Sequence, residues 1–240
     1  MIKQKNMSCI LHIETSTDAC SVAVSQDGAV IFHVEDFEGP SHAQKLGTFV
    51  DEALSFTDNH AIPFDAVAVS QGPGSYTGLR IGVSMAKGIC YARDLKLLAL
   101  PTLKVMCVPV LLGQELPEDA LLCPMIDARR MEVYAAVYDR ALNVVKETAP
   151  VVVDDAAFAD LLEKHLVYFF GNGADKCEGV IEHPNAHFID GIKPVAKNMM
   201  PLAEREHAMG AFQDVAYFEP FYLKDFVAIK SNKVDKIIRG

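Results

Sequence analysis

The sequence predicts an α/β protein built from two similar domains. Three observations point there: an order of three strands, helix, strand, helix that occurs twice along 240 residues; a connecting stretch between the two runs, beginning near Pro101; and a half-hydrophobic composition with no long segment of disordered character. A chain of this length holds one large domain or two smaller ones, at roughly 100 to 200 residues per domain. The expected division is 1–101 and 102–240. No residue-level repeat accompanies the repeated order.

The first run opens with CILHI (9–13), a short apolar stretch that suits a buried strand. SVAVSQDGAVIFHVE (21–35) follows, with Asp27-Gly28 between two β-prone runs, a strong short-range signal for a hairpin. Residues 42–57 place Leu46, Phe49, Val50, Ala53 and Leu54 at the i, i+3, i+4 spacing of a helix. DAVAVSQ (65–71) reads as a buried strand and 77–93 as a second helix.

After Pro101 a connecting helix is expected to about Gly113, kinked or shortened by Pro109. LLCPMID (121–127), MEVYAAVYD (131–139) and NVVKETAPVVV (143–153) then read as strands. Asp154 or Asp155 is the expected cap of a helix with the stripe Phe158, Leu161, Leu162, His165, Leu166. VYFFG (167–171) reads as a buried strand, and a last helix runs from about Met199 to Gly210, with Pro201 acceptable in its first turn.

The glycine-studded stretch SQGPGSYTGLRIGVSMAKG (70–88) invites a phosphate-loop reading, and spacing rejects it. A Walker loop needs a lysine directly after its last glycine, where Leu79 and Arg80 follow Gly78 here, and Gly72, Gly74 and Gly78 miss the dinucleotide fingerprint by one position. Gly72-Pro73-Gly74 makes a sharp strand-to-helix turn, and Ser75 or Thr77 can cap the helix. Gly78, Gly82 and Ala86 recur every fourth residue, and a helical glycine costs up to ~1 kcal/mol relative to alanine. Close approach of another helix or strand would offset that cost. In projection, Arg80, Ser84, Lys87 and Tyr91 form one polar stripe, while the apolar arc is wider than the ~100° that resting on one sheet requires. The first helix is similar, so a second burial partner is expected, in this chain or in another.

The formal net charge of -10 opposes direct contact with a phosphate backbone, since nucleic-acid affinity comes mostly from Lys and Arg replacing counterions. Six cysteines lie scattered in apolar stretches without a C-x-x-C pair, which fits a reduced, cytoplasmic protein with buried thiols. The apolar run before Glu14 is too short for a signal-peptide core, and no stretch approaches the ~20 residues that span a bilayer. Met7 is a second candidate start, with 1–6 as a frayed leader.

ILHIETSTDACSVAV (10–24), AVSQGPGSYTGLRIGVSMAKGI (68–89), ALPTL (99–103), IDARRMEVYAAVY (126–138) and FYLKDF (221–226) resemble the bacterial TsaB family, also called YeaZ. The likeness covers most of the chain, is most specific at 68–89 and is loose over 140–200. It implies an actin-like, Hsp70-like (ASKHA) fold of two duplicated domains. It further implies a non-catalytic subunit for threonylcarbamoyladenosine (t6A) formation at position 37 of tRNA, with no cofactor of its own. The implied partners are a catalytic TsaD-like paralogue and a TsaE-like ATPase; the surplus apolar arcs add the expectation of a homodimer when isolated, and the acidic charge that of tRNA met only through the complex. Pairing is implied for the helices at 42–57 and 77–93, where Leu46, Phe49, Val50, Ala53, Gly78, Leu79, Gly82, Val83 and Ala86 are the expected interface. Glu14 departs from the aspartate usual in the family. The catalytic paralogue places two metal-binding histidines, H-x-x-x-H, shortly after the position of Pro101, where this chain reads LKVMCVP (103–109).

Other constellations have bland readings beside the sharp ones. His183 and His187 have metal-like spacing, but Pro184 and Asn185 make a loop and no zincin carboxylate follows. His42 reads as a polar helix-end residue. Ser75 does not fit a G-x-S-x-G nucleophile elbow. Thr15 and Ser16 end the first strand as weak candidates for a vestigial nucleotide contact, against simple strand-end hydrogen bonding. Gly171-Asn172-Gly173 could be a matching loop or only a turn, and Asp127 and Arg129 could simply pin a turn. An ATPase or kinase of this fold would need phosphate loops and acidic metal ligands that these residues do not complete. An M22-type metallopeptidase lacks its ligand set.

Overall fold

The computed structural model describes residues 8–39 and 42–223, so the question of Met1 against Met7 lies outside the described residues, as do the last three residues of FYLKDF. Ten strands form two sheets of five. In the first, β1 (Cys9–Glu14) pairs antiparallel with β2 (Cys20–Gln26), which pairs with β3 (Ala29–Asp36). On its other side β1 runs parallel to β4 (Ala66–Gly72), which runs parallel to β5 (Lys96–Pro101). Helices α1 (His42–Asn59) and α2 (Tyr76–Arg93) flank β4, and α3 (Thr102–Gly113) follows β5.

The second sheet uses β6 (Leu121–Asp127), β7 (Glu132–Tyr138), β8 (Val144–Val152), β9 (Val167–Phe170) and β10 (Ala186–Ile189). The two sheet orders, β3-β2-β1-β4-β5 and β8-β7-β6-β9-β10, are the same order written twice. Duplication is therefore a property of topology here, even though no side-chain repeat announces it.

The hairpin forms as Asp27-Gly28 predicts: both residues are left-handed, with φ of 53° and 75°, as the two-residue turn requires. Each sheet carries one strand more than expected, β5 and β10. The helix expected after Asp154 or Asp155 is a correction, since Asp154 Oδ1 instead caps a turn through the Ala156 amide and helix α4 is a single turn, Ala159–Leu162. Phe158, left-handed at φ 65°, starts it and sends its own ring into the core beside Phe169. Pro109 neither ends nor shortens α3, which continues to Gly113. The last helix, α5 (Met200–Met209), carries a proline in its first turn and stops at left-handed Gly210.

Residues 211–223 return to the first sheet. The Gln213 amide bonds Leu97 O at 2.8 Å, the Phe221 amide bonds Gln71 O at 2.7 Å, and Val215 and Phe218 pack against the first core. Lys87 Nζ holds this return by donating to Ala216 O and Phe218 O at 3.1 and 3.0 Å.

Candidate functional site

The glycines of α2 serve the chain's own first strand. A β-carbon at Gly78 would lie 2.1 Å from Thr15 O, one at Gly82 would lie 2.2 Å from Thr15 Oγ1, and one at Gly74 would lie 2.2 Å from Ser16 O. Thr15 Oγ1 donates to Gly78 O at 2.8 Å, so helix and strand end are bonded across that contact. Ser75 caps α2 by accepting from the Gly78 amide, and its own amide donates to Ser16 O.

Most side chains of the expected interface are buried within the chain itself. Leu46, Val50, Ala53, Val83 and Ala86 belong to the core between the helices and the first sheet, Leu79 is as deeply buried, and Phe49 is half-buried against the same core. The second partner for the wide apolar arcs lies within the chain: the returning segment at Val215 and Phe218, and Phe32 of β3, whose ring sits 5.4 Å from that of Phe56. Leu46, Val50, Ala53, Gly78, Leu79, Gly82, Val83 and Ala86 are thus buried within the chain, while Phe49 keeps part of its surface outside.

What α1 and α2 leave outside is an apolar groove of about 670 Å³, lined by Ala43 and Leu54 on one helix and by Arg80, Ile81, Ser84, Met85, Gly88, Ile89, Ala92 and Arg93 on the other. At two helical glycines, Gly47 and Gly88, an added β-carbon would meet nothing within 4 Å. Among the described residues no close contact offsets their helix cost. These two glycines were the sequence signal for an outward face, obscured by the stronger four-residue repeat beside them.

At the end of β1 the Glu14 carboxylate is wholly buried, accepting from the Ser16 amide at 2.6 Å and from the Ser70 hydroxyl. Burial pushes its pKa up, against the pull of those hydrogen bonds. His42, first residue of α1, donates from Nε2 to Thr17 O at 2.5 Å, a helix-end role. Thr15 is committed to Gly78, so of the two vestigial nucleotide candidates only Ser16 lines a cavity. His183 and His187 are not a pair, since His187 stacks on Tyr168 and His183 Nδ1 accepts from the Asn185 amide. Among the described residues no group of three or more His, Cys, Asp or Glu could hold a metal ion. Leu103–Pro109 forms part of α3 and supplies no imidazole, so the residues present do not fit the paralogue's metal. No described helix is long and apolar enough to cross a membrane.

A cavity of about 740 Å³ opens where the two halves face each other. Its walls are the β1–β2 loop, the first turn of α2, the β6–β7 turn, Asn172 and Phe221–Leu223. Asp127 does pin the β6–β7 turn, as its Oδ1 accepts from the Arg129 amide and pairs with Lys176.

Residues 38–230 match the family model described as "TsaD: tRNA N6-adenosine threonylcarbamoyltransferase". The chain is similar to the tRNA threonylcarbamoyladenosine biosynthesis protein TsaB of Escherichia coli, at 31% identity over 92% of this chain and 96% of that one. It is also similar to the TsaB of Bacillus subtilis, at 29% identity over 64% of each. Among solved structures, YeaZ from Pseudomonas aeruginosa superposes with a TM-score of 0.75 at 26% identity, covering 90% of this chain and all of that one.

Proposed function

Because the chain belongs to the TsaB (YeaZ) family and so has a role in tRNA threonylcarbamoyladenosine biosynthesis, we propose that it is a non-catalytic subunit whose α1/α2 groove docks a catalytic TsaD-like paralogue. The carrying observation is the outer groove itself: Ile81, Met85 and Ile89 form an apolar floor, and Gly88 leaves room beside it for another backbone. When isolated, the chain uses the same face to pair with a second copy, so the two assemblies compete. A TsaE-like ATPase joins the complex, tRNA is met only through it, and the work is cytoplasmic. In this reading 1–101 is the docking domain and 102–240 the supporting one.

Gly88→Leu tests the docking face with little risk to the fold, since its β-carbon site is open and leucine is the better helix former. The isolated variant should melt no lower than wild type, while sedimentation with the TsaD-like protein from the same organism shows at least a tenfold weaker complex. A variant that binds as wild type does would place docking elsewhere. The non-catalytic reading has its own measurement: the purified chain should leave ATP unhydrolysed, and turnover abolished by Ser16→Ala would favour an ATPase instead.

A further inference from the structure

We propose that residues 224–240 of this chain occupy the α1/α2 groove and compete with the partner for it, so that the isolated chain masks its own docking face. The competition rests on the docking reading above, while the cover itself does not. The groove is apolar and open, with Ile81, Met85 and Ile89 along its floor and space for another backbone at Gly88. The described residues end at Leu223, beside the start of the same helix. There the Phe221 amide bonds Gln71 O, and the Tyr222 ring lies 4.8 Å from that of Tyr76 in the first turn of α2. Arg80, which lines the groove, stands over that Tyr76 ring. The segment before this point is tied to α2 as well, through Lys87 and its two carbonyls. Residue 224 therefore sets out from one end of the groove.

Length, apolar content and charge all suit this occupant. From Arg80 to Arg93 the groove follows α2 for about 20 Å, at 1.5 Å per residue. Residues 224–240 would span about 25 Å as a helix and roughly 55 Å extended, so they reach its far end in either form. Their sequence, KDFVAIKSNKVDKIIRG, offers Phe226, Val227, Ile229, Val234, Ile237 and Ile238 to an apolar floor. It also holds five Lys and Arg against Asp225 and Asp235, a net of +3 in a chain of net -10, which leaves -13 on residues 1–223. Opposite charge thus draws the segment back onto the body that carries it. On α1, exposed Asp51 and Asp58 share the helix face of Ala43 and Leu54, so acid stands along the groove wall. The arginines at the two ends are engaged, Arg93 with Asp58 and Arg80 with the Tyr76 ring.

The six native cysteines are all buried, so one added at an exposed position of the groove reports its cover alone. Ser84 is such a position. In the full chain, Ser84→Cys should react with a maleimide at least tenfold faster when Phe226→Asp and Ile237→Asp are also present, and neither rate should depend on protein concentration. Glu118→Cys, exposed in the α3–β6 connection, should react at one rate in both backgrounds. Equal rates at Ser84→Cys with and without the two aspartates overturn the proposal. Protection that grows with protein concentration overturns it too, by assigning the cover to a second copy. The competition has a separate readout: Phe226→Asp with Ile237→Asp should bind the TsaD-like protein at least fivefold more tightly than wild type. Unchanged affinity there, with Gly88→Leu still weakening the complex, overturns the competition. A tail-dependent rate at Ser84→Cys together with a complex indifferent to Gly88→Leu upholds the cover and sinks the docking reading alone.

Discussion

Gly78→Ala should destabilise the fold severely, although alanine is the better helix residue. Its β-carbon would stand 2.1 Å from the Thr15 carbonyl oxygen, and a backbone atom at a strand end has no rotamer by which to move aside. Separating α2 from β1 far enough would break the Thr15 Oγ1 bond to Gly78 O and open the core beneath Val83 and Ala86. Overpacking of this kind costs ~1 to 3 kcal/mol where neighbours can yield, and more where they cannot. A loss on the order of 4 kcal/mol or more is expected, against a total stability of roughly 5 to 15 kcal/mol. Gly82→Ala meets a different obstacle, Thr15 Oγ1, which belongs to a side chain. Thr15→Ala should therefore rescue Gly82→Ala in part and leave Gly78→Ala as destabilised as before. Urea midpoints of the two double variants check this, and equal rescue of both would show that the glycines answer to something other than Thr15.

Acid should weaken the protein through His12. This imidazole is fully buried in β1, with Nε2 2.8 Å from Ser25 Oγ, and burial alone lowers its pKa from 6.5 to about 3. A depressed folded-state value means that its contribution is whole above the unfolded pKa and is lost as pH falls from 6.5 toward 3. At about 1.4 kcal/mol per pH unit, the loss reaches at most about 5 kcal/mol across that window. Glu14 acts in the opposite sense: its pKa is raised by burial, so its contribution is complete below the ordinary glutamate value and falls as pH rises through the folded one. His12→Leu should flatten the acid limb of thermal midpoint against pH, while Glu14→Gln should leave that limb in place. An unchanged acid limb in His12→Leu would assign the sensitivity to other groups.

Much of this was legible in the sequence, and the misses share a cause. The Asp27-Gly28 hairpin and helices α1 and α2 are local features, fixed by turn chemistry and by apolar spacing within one element. Strand β5 reads KLLALP, an apolar run directly after a helix, and only its parallel pairing with β4 makes it a strand. Strand β10 has four residues, all half-buried, too few for an alternating pattern to register. The stripe after Asp154 promised a helix, but the Asp154 side chain and left-handed Phe158 hold those residues in turns. The wide apolar arcs of α1 and α2 were read correctly as needing a second cover. Their cover includes Val215 and Phe218 beside α2 and Phe32 beside α1, all outside the helices themselves, and periodicity within a helix carries no information about which other segment will lie on it.

The return of residues 211–223 onto the first sheet has a consequence for synthesis. A ribosome releases the first sheet with α1 and α2 well before it makes the segment that lies over α2 and hydrogen-bonds to β4 and β5. Until then Lys87 has no carbonyls to hold, and the apolar surface that Val215 and Phe218 will cover stands open to water. The nascent first half is thus a sticky intermediate whose completion waits on translation of the last part of the chain. A stalled or C-terminally clipped product would carry a well-formed sheet with an uncovered flank, a state that chaperones and proteases recognise.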